Sequence, residues 1–295
     1  MVRALSLLLG VAALGLVTVG LAAAPDEVYR QTVEQWRATH EADYRREFVP
    51  LAGLFFLEPG PNPAGSAARS LIKLPEPAPA RIGRFVLSEK SVRFEPEPGV
   101  AVLLKERPVT SPIELKSDSA ADGPDEISIG GIGLWVHMSG ERPSIRMRDP
   151  NGPVAKSFSG FLWFPIDEQY RVTGRFVRDS APRTLQIPNQ LGDLDTMLTE
   201  GVVEFPLGGQ PIRLRPMTTG PSRLWFIFRD GTSGKETYET ARFLYADLRA
   251  DGTAVMDFNQ AYNPPCAFNP FTTCPLPLPE NRLTVRILAG EKAYH

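Results

Sequence analysis

The densest run of side chains able to do chemistry lies between Asp230 and Lys292. It holds Lys235, Tyr238 and Arg242, then Asp257-Phe258-Asn259-Gln260-Ala261-Tyr262-Asn263, and later Glu280, Glu291 and Lys292. Aromatic faces beside a few fixed polar groups suit a small polar ligand such as a sugar or a carboxylate compound. Lys235, Tyr238, Arg242, Asp257, Asn259, Tyr262 and Asn263 are therefore the candidate ligand contacts. A structural role competes for the same residues: asparagines capping turns, prolines stiffening the loop, and Arg242 pairing with a carboxylate such as Asp257. Acid–base work would require two groups with separated pKa values, and Asp257 with Glu291 or Lys235 are the candidates.

Other chemistries find little support. Histidines occur only at positions 40, 137 and 295, too scattered for a clustered metal site, and no zinc spacing surrounds the two cysteines. No metal or cofactor is expected. A serine hydrolase would need a base beside its nucleophile; His137 is the main candidate, but no Gly-x-Ser-x-Gly elbow exists. Gly231-Thr232-Ser233-Gly234-Lys235 lacks the first glycine and the trailing hydroxyl residue of a phosphate-binding loop, and reads as a hairpin turn.

Cys266 and Cys274 stand among six prolines, at positions 264, 265, 270, 275, 277 and 279. In an exported chain such a pair is expected to form a disulfide. Export is expected because Arg3 precedes an uncharged, apolar or small stretch from Ala4 to Ala24, closing on Ala22-Ala23-Ala24, the layout of a signal peptide. Cleavage would leave a periplasmic or secreted protein with no inserted membrane segment. The formal charge of −2 offers no basic excess for a phosphate backbone, so nucleic acid is not an expected partner.

The elements that must position these residues follow from periodicity. Tyr29, Val33, Trp36, His40, Tyr44 and Phe48 fall on one stripe, which predicts an amphipathic helix within residues 25–50, stopped by Pro50. His40 on that stripe reads as a packed ring with one hydrogen bond. Beyond Pro50, short apolar or alternating runs separated by proline and glycine read as strands, among them 127–138, 161–164, 170–177, 201–205 and 224–228. Asp230 to Gly234 and Asp251-Gly252 mark turns, which predicts three consecutive strands over 224–228, 236–248 and 253–258. With 29 prolines, 25 glycines and no alternating helices, the expectation is a mainly β chain: an antiparallel β-sandwich or partly open barrel after one N-terminal helix, in a single domain over 51–295.

Several runs of this chain together resemble the bacterial and archaeal family catalogued as domain of unknown function 1684. They are Thr232-Ser233-Gly234-Lys235, Asp257 through Cys266, Cys274-Pro275-Leu276-Pro277 and Ala289-Gly290-Glu291-Lys292. Upstream, Leu51 to Leu57 and Phe164-Pro165-x-Asp167-x-x-Tyr170-Arg171 are similar to the same family. The resemblance brings no reaction, cofactor or catalytic residue with it. What the residues imply is a binding module for a small polar ligand or envelope component. The alternatives are an envelope-associated hydrolase using carboxylate, tyrosine or lysine groups, and a purely structural scaffold.

Overall fold

The computed structural model describes residues 26–294, so the leader expected over Met1 to Ala24 lies outside the described residues. The chain enters through one helix, Glu27–Glu47. Asp26 caps it, accepting the amides of Val28 and Tyr29, while Glu27 opens the first turn and Arg45 and Arg46 close the last, in line with the helix dipole. Its buried face carries Val33 and Tyr44. Among the described residues no helix is long and apolar enough to cross a membrane.

Apart from a second short helix, Pro153–Ser157, and four single helical turns, the regular structure is sheet, almost wholly antiparallel. In the first half, a six-stranded sheet centred on Ile132–Ser139 and Arg142–Arg148 packs over a five-stranded sheet containing Gly83–Ser88 and Ser91–Pro96. Phe85, Phe94, Ile127, Leu134 and Ile145 fill the space between them. In the second half, a four-stranded sheet built on Arg171–Pro188 and Leu194–Leu207 packs on a three-stranded one, Met217–Thr218, Arg223–Phe228 and Arg242–Asp247. That core holds Val203, Phe205, Phe226, Phe228, Met256 and Phe258. A third apolar cluster, with Tyr44, Phe158, Phe161, Phe243 and Tyr262, joins the helix to the outer face of the three-stranded sheet. The chain is thus sandwich-like and mainly β, with no closed barrel.

Three local expectations are corrected. The apolar run 127–138 is two strands, Ile127–Ile129 and Ile132–Ser139, because Gly130 takes the left-handed backbone (φ +59°) and turns the chain. Residues 161–164 form no strand; Trp163 makes an isolated bridge to Glu291, and their rings pack under the helix. The three consecutive strands are present, but with other bounds and in two sheets. The middle strand begins only at Arg242, and Thr253–Asp257 crosses over to pair with residues 171–175 of the other sheet.

The two halves are sewn together by polar groups at the Ser139–Arg142 turn. Arg142 holds Asp193 through Nε at 2.5 Å and Nη2 at 2.8 Å, and Ser139 Oγ donates to the same carboxylate at 2.6 Å. Asn189 Nδ2 in turn donates to Ser139 Oγ at 3.0 Å.

Candidate functional site

The expected contact residues do not converge on one pocket. Arg242 has no exposed surface and pairs with Asp230, equally buried, rather than with Asp257. Its Nη1 reaches Asp230 Oδ2 at 2.6 Å and the Ile287 carbonyl at 3.0 Å, while Nη2 donates to the Ala289 carbonyl. Asp230 also takes the amide and hydroxyl of Thr232, so this ion pair fastens the 230–237 turn to the C-terminal segment. Gly290 sits beside it at φ +80°, where a Cβ would come within 2.3 Å of the Ala261 carbonyl. Within the Ala-Gly-Glu-Lys run, position 290 therefore has no room for a side chain.

Asp257 and Asn259 tie the helix to the sheets. Tyr29 Oη donates to Asp257 at 3.0 Å, and Asn259 exchanges bonds with the backbone of Asp167, its Oδ1 accepting at 3.0 Å and its Nδ2 donating at 2.8 Å. Burial pushes the Asp257 carboxyl above the usual carboxylate range. Asn263 lashes down the last turn of the chain, giving its amide to Glu291 Oε2 and its Nδ2 to Glu291 Oε1, both at 2.9 Å. Asp257 and Glu291 therefore sit in separate networks. Lys235 is exposed on the turn, and half-buried Tyr238 bonds Gln190 and the Cys266 carbonyl.

The structure does not show the disulfide expected between Cys266 and Cys274, and both cysteines are free in it. The short helical turn Pro265–Ala267 sets the Cys266 amide on Cys274 Sγ at 3.3 Å, so an N–H to sulfur bond closes the loop instead. Burial raises the Cys266 thiol far above its ordinary range.

Of the candidates, Tyr262 lines a cleft. It is an open hollow of about 500 Å³ between the helix and the three-stranded sheet. Trp36, His40 and Tyr44 form one wall, and Trp225, Tyr245 and Tyr262 the other. The rings are ordered: Trp225 and Tyr245 stack at 5.9 Å, and His40 stacks on Trp36 at 4.9 Å. Asp43 and Glu47 put carboxylates at the cleft, Arg223 a guanidinium, and Thr273 and Cys274 close its floor.

His40 is a packed ring as expected, but its buried Nε2 has no hydrogen-bond partner among the described residues. Wedged between Trp36, Tyr44 and Tyr262, its imidazole is pushed down to about 4 by burial and stays neutral. Sequence reasoning placed His40 on the right stripe but missed the cleft, because Trp36, Tyr245 and Thr273 are brought together only by tertiary folding. Among the described residues no group of three or more histidine, cysteine or acidic side chains is arranged to hold a metal ion.

Fold and site together define a β-sandwich protein with an aromatic cleft capped by an N-terminal helix. Residues 156–292 match the model of the family described as protein of unknown function (DUF1684). The match takes in Phe164 to Arg171 and all the C-terminal motifs, while Leu51 to Leu57 lies outside it. The solution structure of an uncharacterized protein from Haloarcula marismortui is similar at 28% identity, over 49% of this chain and 82% of that one, with a TM-score of 0.41. No curated protein matches the chain.

Proposed function

We propose that this protein is exported and acts as a binding module, with the cleft under the N-terminal helix taking a small polar, ring-bearing ligand of the cell envelope, a saccharide in the first instance. The observation that carries this reading is the composition of that cleft. Trp225, Tyr245 and Tyr262 give the cleft an aromatic wall against which the apolar face of a sugar ring can pack, while Asp43, Glu47 and Arg223 supply partners for its hydroxyls. At about 500 Å³ the hollow matches the size of ordinary small-molecule sites. The scaffold role falls to Arg242, Asp257, Asn259 and Asn263, whose hydrogen bonds are spent on the fold itself.

Titration with cell-wall oligosaccharides, followed by tryptophan fluorescence, is expected to saturate. Tyr245→Ala, which removes one ring of that wall and leaves the two sandwich cores intact, is expected to weaken binding by roughly 10-fold or more in protein that remains folded. Folded protein that answers to no member of the panel, or a variant that binds as the parent does, overturns the reading. Export supports the choice of ligand and has its own check. The N-terminus of protein recovered from the producing cell is expected to start at or near Pro25, and recovery of an intact Met1 in the cytosol would remove that part.

A further inference from the structure

At the floor of the same cleft, Thr273 meets a cluster drawn from the first sandwich. His137, on the strand Ile132–Ser139, is held between two partners: Nδ1 lies 2.5 Å from Asp118 Oδ2, and Nε2 lies 3.0 Å from Thr273 Oγ1. The Met138 amide donates to the other Asp118 oxygen at 3.1 Å and fixes that carboxylate. Arg146 Nη2 approaches Nε2 at 2.8 Å and Thr273 Oγ1 at 3.4 Å. A guanidinium can only donate, so Nε2 is the bare nitrogen and the ring proton sits on Nδ1, facing Asp118. This is the tautomer in which an imidazole accepts a hydroxyl proton, with the carboxylate placed to stabilise the imidazolium that results. The imidazole is 7% exposed, and Thr273 is half-buried where it borders the cleft, so Thr273 is the member of the cluster that links it to the cleft.

We propose that Thr273 is the nucleophile of an acyl hydrolase, with His137 as general base, Asp118 as the positioning residue and Arg146 as the charge stabiliser. The substrate class is a carboxylic ester of the ring compound held in the cleft, an O-acylated saccharide. The inference rests on the cleft being the ligand site. On substrate binding the Arg146 guanidinium moves from Nε2 to the ester carbonyl oxygen, which frees the single lone pair of that nitrogen. Thr273 Oγ1 then attacks the carbonyl carbon as its proton passes to His137 Nε2, and the guanidinium holds the tetrahedral oxyanion. The ester C–O bond breaks, Nε2 returns its proton to the leaving alkoxide, and the alcohol departs. Water attacks the acyl-threonine with His137 as base again, releasing the acid and restoring Thr273. Atoms and protons balance with water as the sole co-reactant.

The pair of hydroxyl and imidazole is separated by 136 positions in the chain, and no local motif announces it. Its test uses the full chain with p-nitrophenyl acetate and butyrate, together with a fluorophosphonate probe read by peptide mass spectrometry. Turnover and a probe adduct on the peptide containing Thr273 are expected. Thr273→Val is expected to lower kcat/KM by about 100-fold or more, while Thr273→Ser keeps activity because it keeps the hydroxyl. Asp118→Asn, acting through the imidazole, is expected to lower kcat with KM unchanged, a split that a merely structural latch would not give. Lack of turnover and adduct in folded parent protein, an adduct elsewhere, or full activity in Thr273→Val overturns the assignment. If saccharide binding persists while turnover is absent, the cleft stands and only the nucleophile falls.

Discussion

Replacing Arg242 with leucine is expected to lower the free energy of unfolding by about 3 to 5 kcal/mol, the cost of leaving one partner of a buried pair without the other. Arg242 and Asp230 both have fully buried side chains, so the Asp230 carboxylate left behind would have no water to turn to. Two carbonyl acceptors, Ile287 and Ala289, would lose their donor in the same step. Arg242→Lys is expected to recover only part of the loss, because one ammonium cannot serve Asp230 and both carbonyls in the planar arrangement that the guanidinium provides. Adding Asp230→Asn to Arg242→Leu is expected to recover part as well, since removing both charges leaves no buried ion unpaired. Urea midpoints read all three. A loss below about 1 kcal/mol in Arg242→Leu would show that the pair does not lock the turn to the C-terminal segment.

The second large effect is on the pH dependence of stability, through Glu291. Its side chain is enclosed, and although two donors of Asn263 favour the carboxylate, burial outweighs them and pushes the acid up to about 8. In the unfolded chain the same acid titrates near 4.5. Between these values the folded protein keeps a proton that the unfolded chain has given up, so stability falls as pH rises, by up to about 1.4 kcal/mol per pH unit, and levels off above 8. His40 works at the other end. Its imidazole, held down to about 4, refuses a proton that the unfolded chain binds near 6.5, and stability falls as pH drops through that window. Glu291→Gln isolates the first contribution. The difference between variant and parent is expected to move in favour of glutamine steadily from pH 5 to pH 8, even though glutamine presents one donor to the donors of Asn263. Parallel curves for variant and parent across that range would rule out a raised Glu291.

These two residues also show why function was hard to read from the chain. Arg242, Asp257, Asn259 and Asn263 stand out as polar density in the sequence, and polar density is what a ligand site and a satisfied interior have in common. The distinction lies in where the side chains point. Three of the four have their hydrogen bonds taken up by backbone groups from other segments: Arg242 by Ile287 and Ala289, Asn259 by Asp167, and Asn263 by Lys292. Conversely, Trp36, Tyr245 and Thr273 look ordinary in their own neighbourhoods and acquire meaning only at the cleft.

What the sequence by itself determined is whatever rests on local periodicity and local chemistry. The 3.6-residue stripe and the capping Asp26 define the helix Glu27–Glu47, and alternating runs broken by glycine and proline define strands and exclude a parallel, helix-covered sheet. Local signals fail where a segment has no buried face to mark it. Much of the hairpin Arg171–Pro188 with Leu194–Leu207 lies exposed beyond Val177, so its outer half carries no hydrophobic period and its length went unread. Only the tertiary structure decided the pairing of Thr253–Asp257 with residues 171–175, the partner of Arg242, the bond from the Cys266 amide to Cys274 Sγ, and the meeting of Asp118, His137 and Thr273. Contacts between distant segments are fixed by how whole faces pack, and packing complementarity leaves no periodic trace in a single chain.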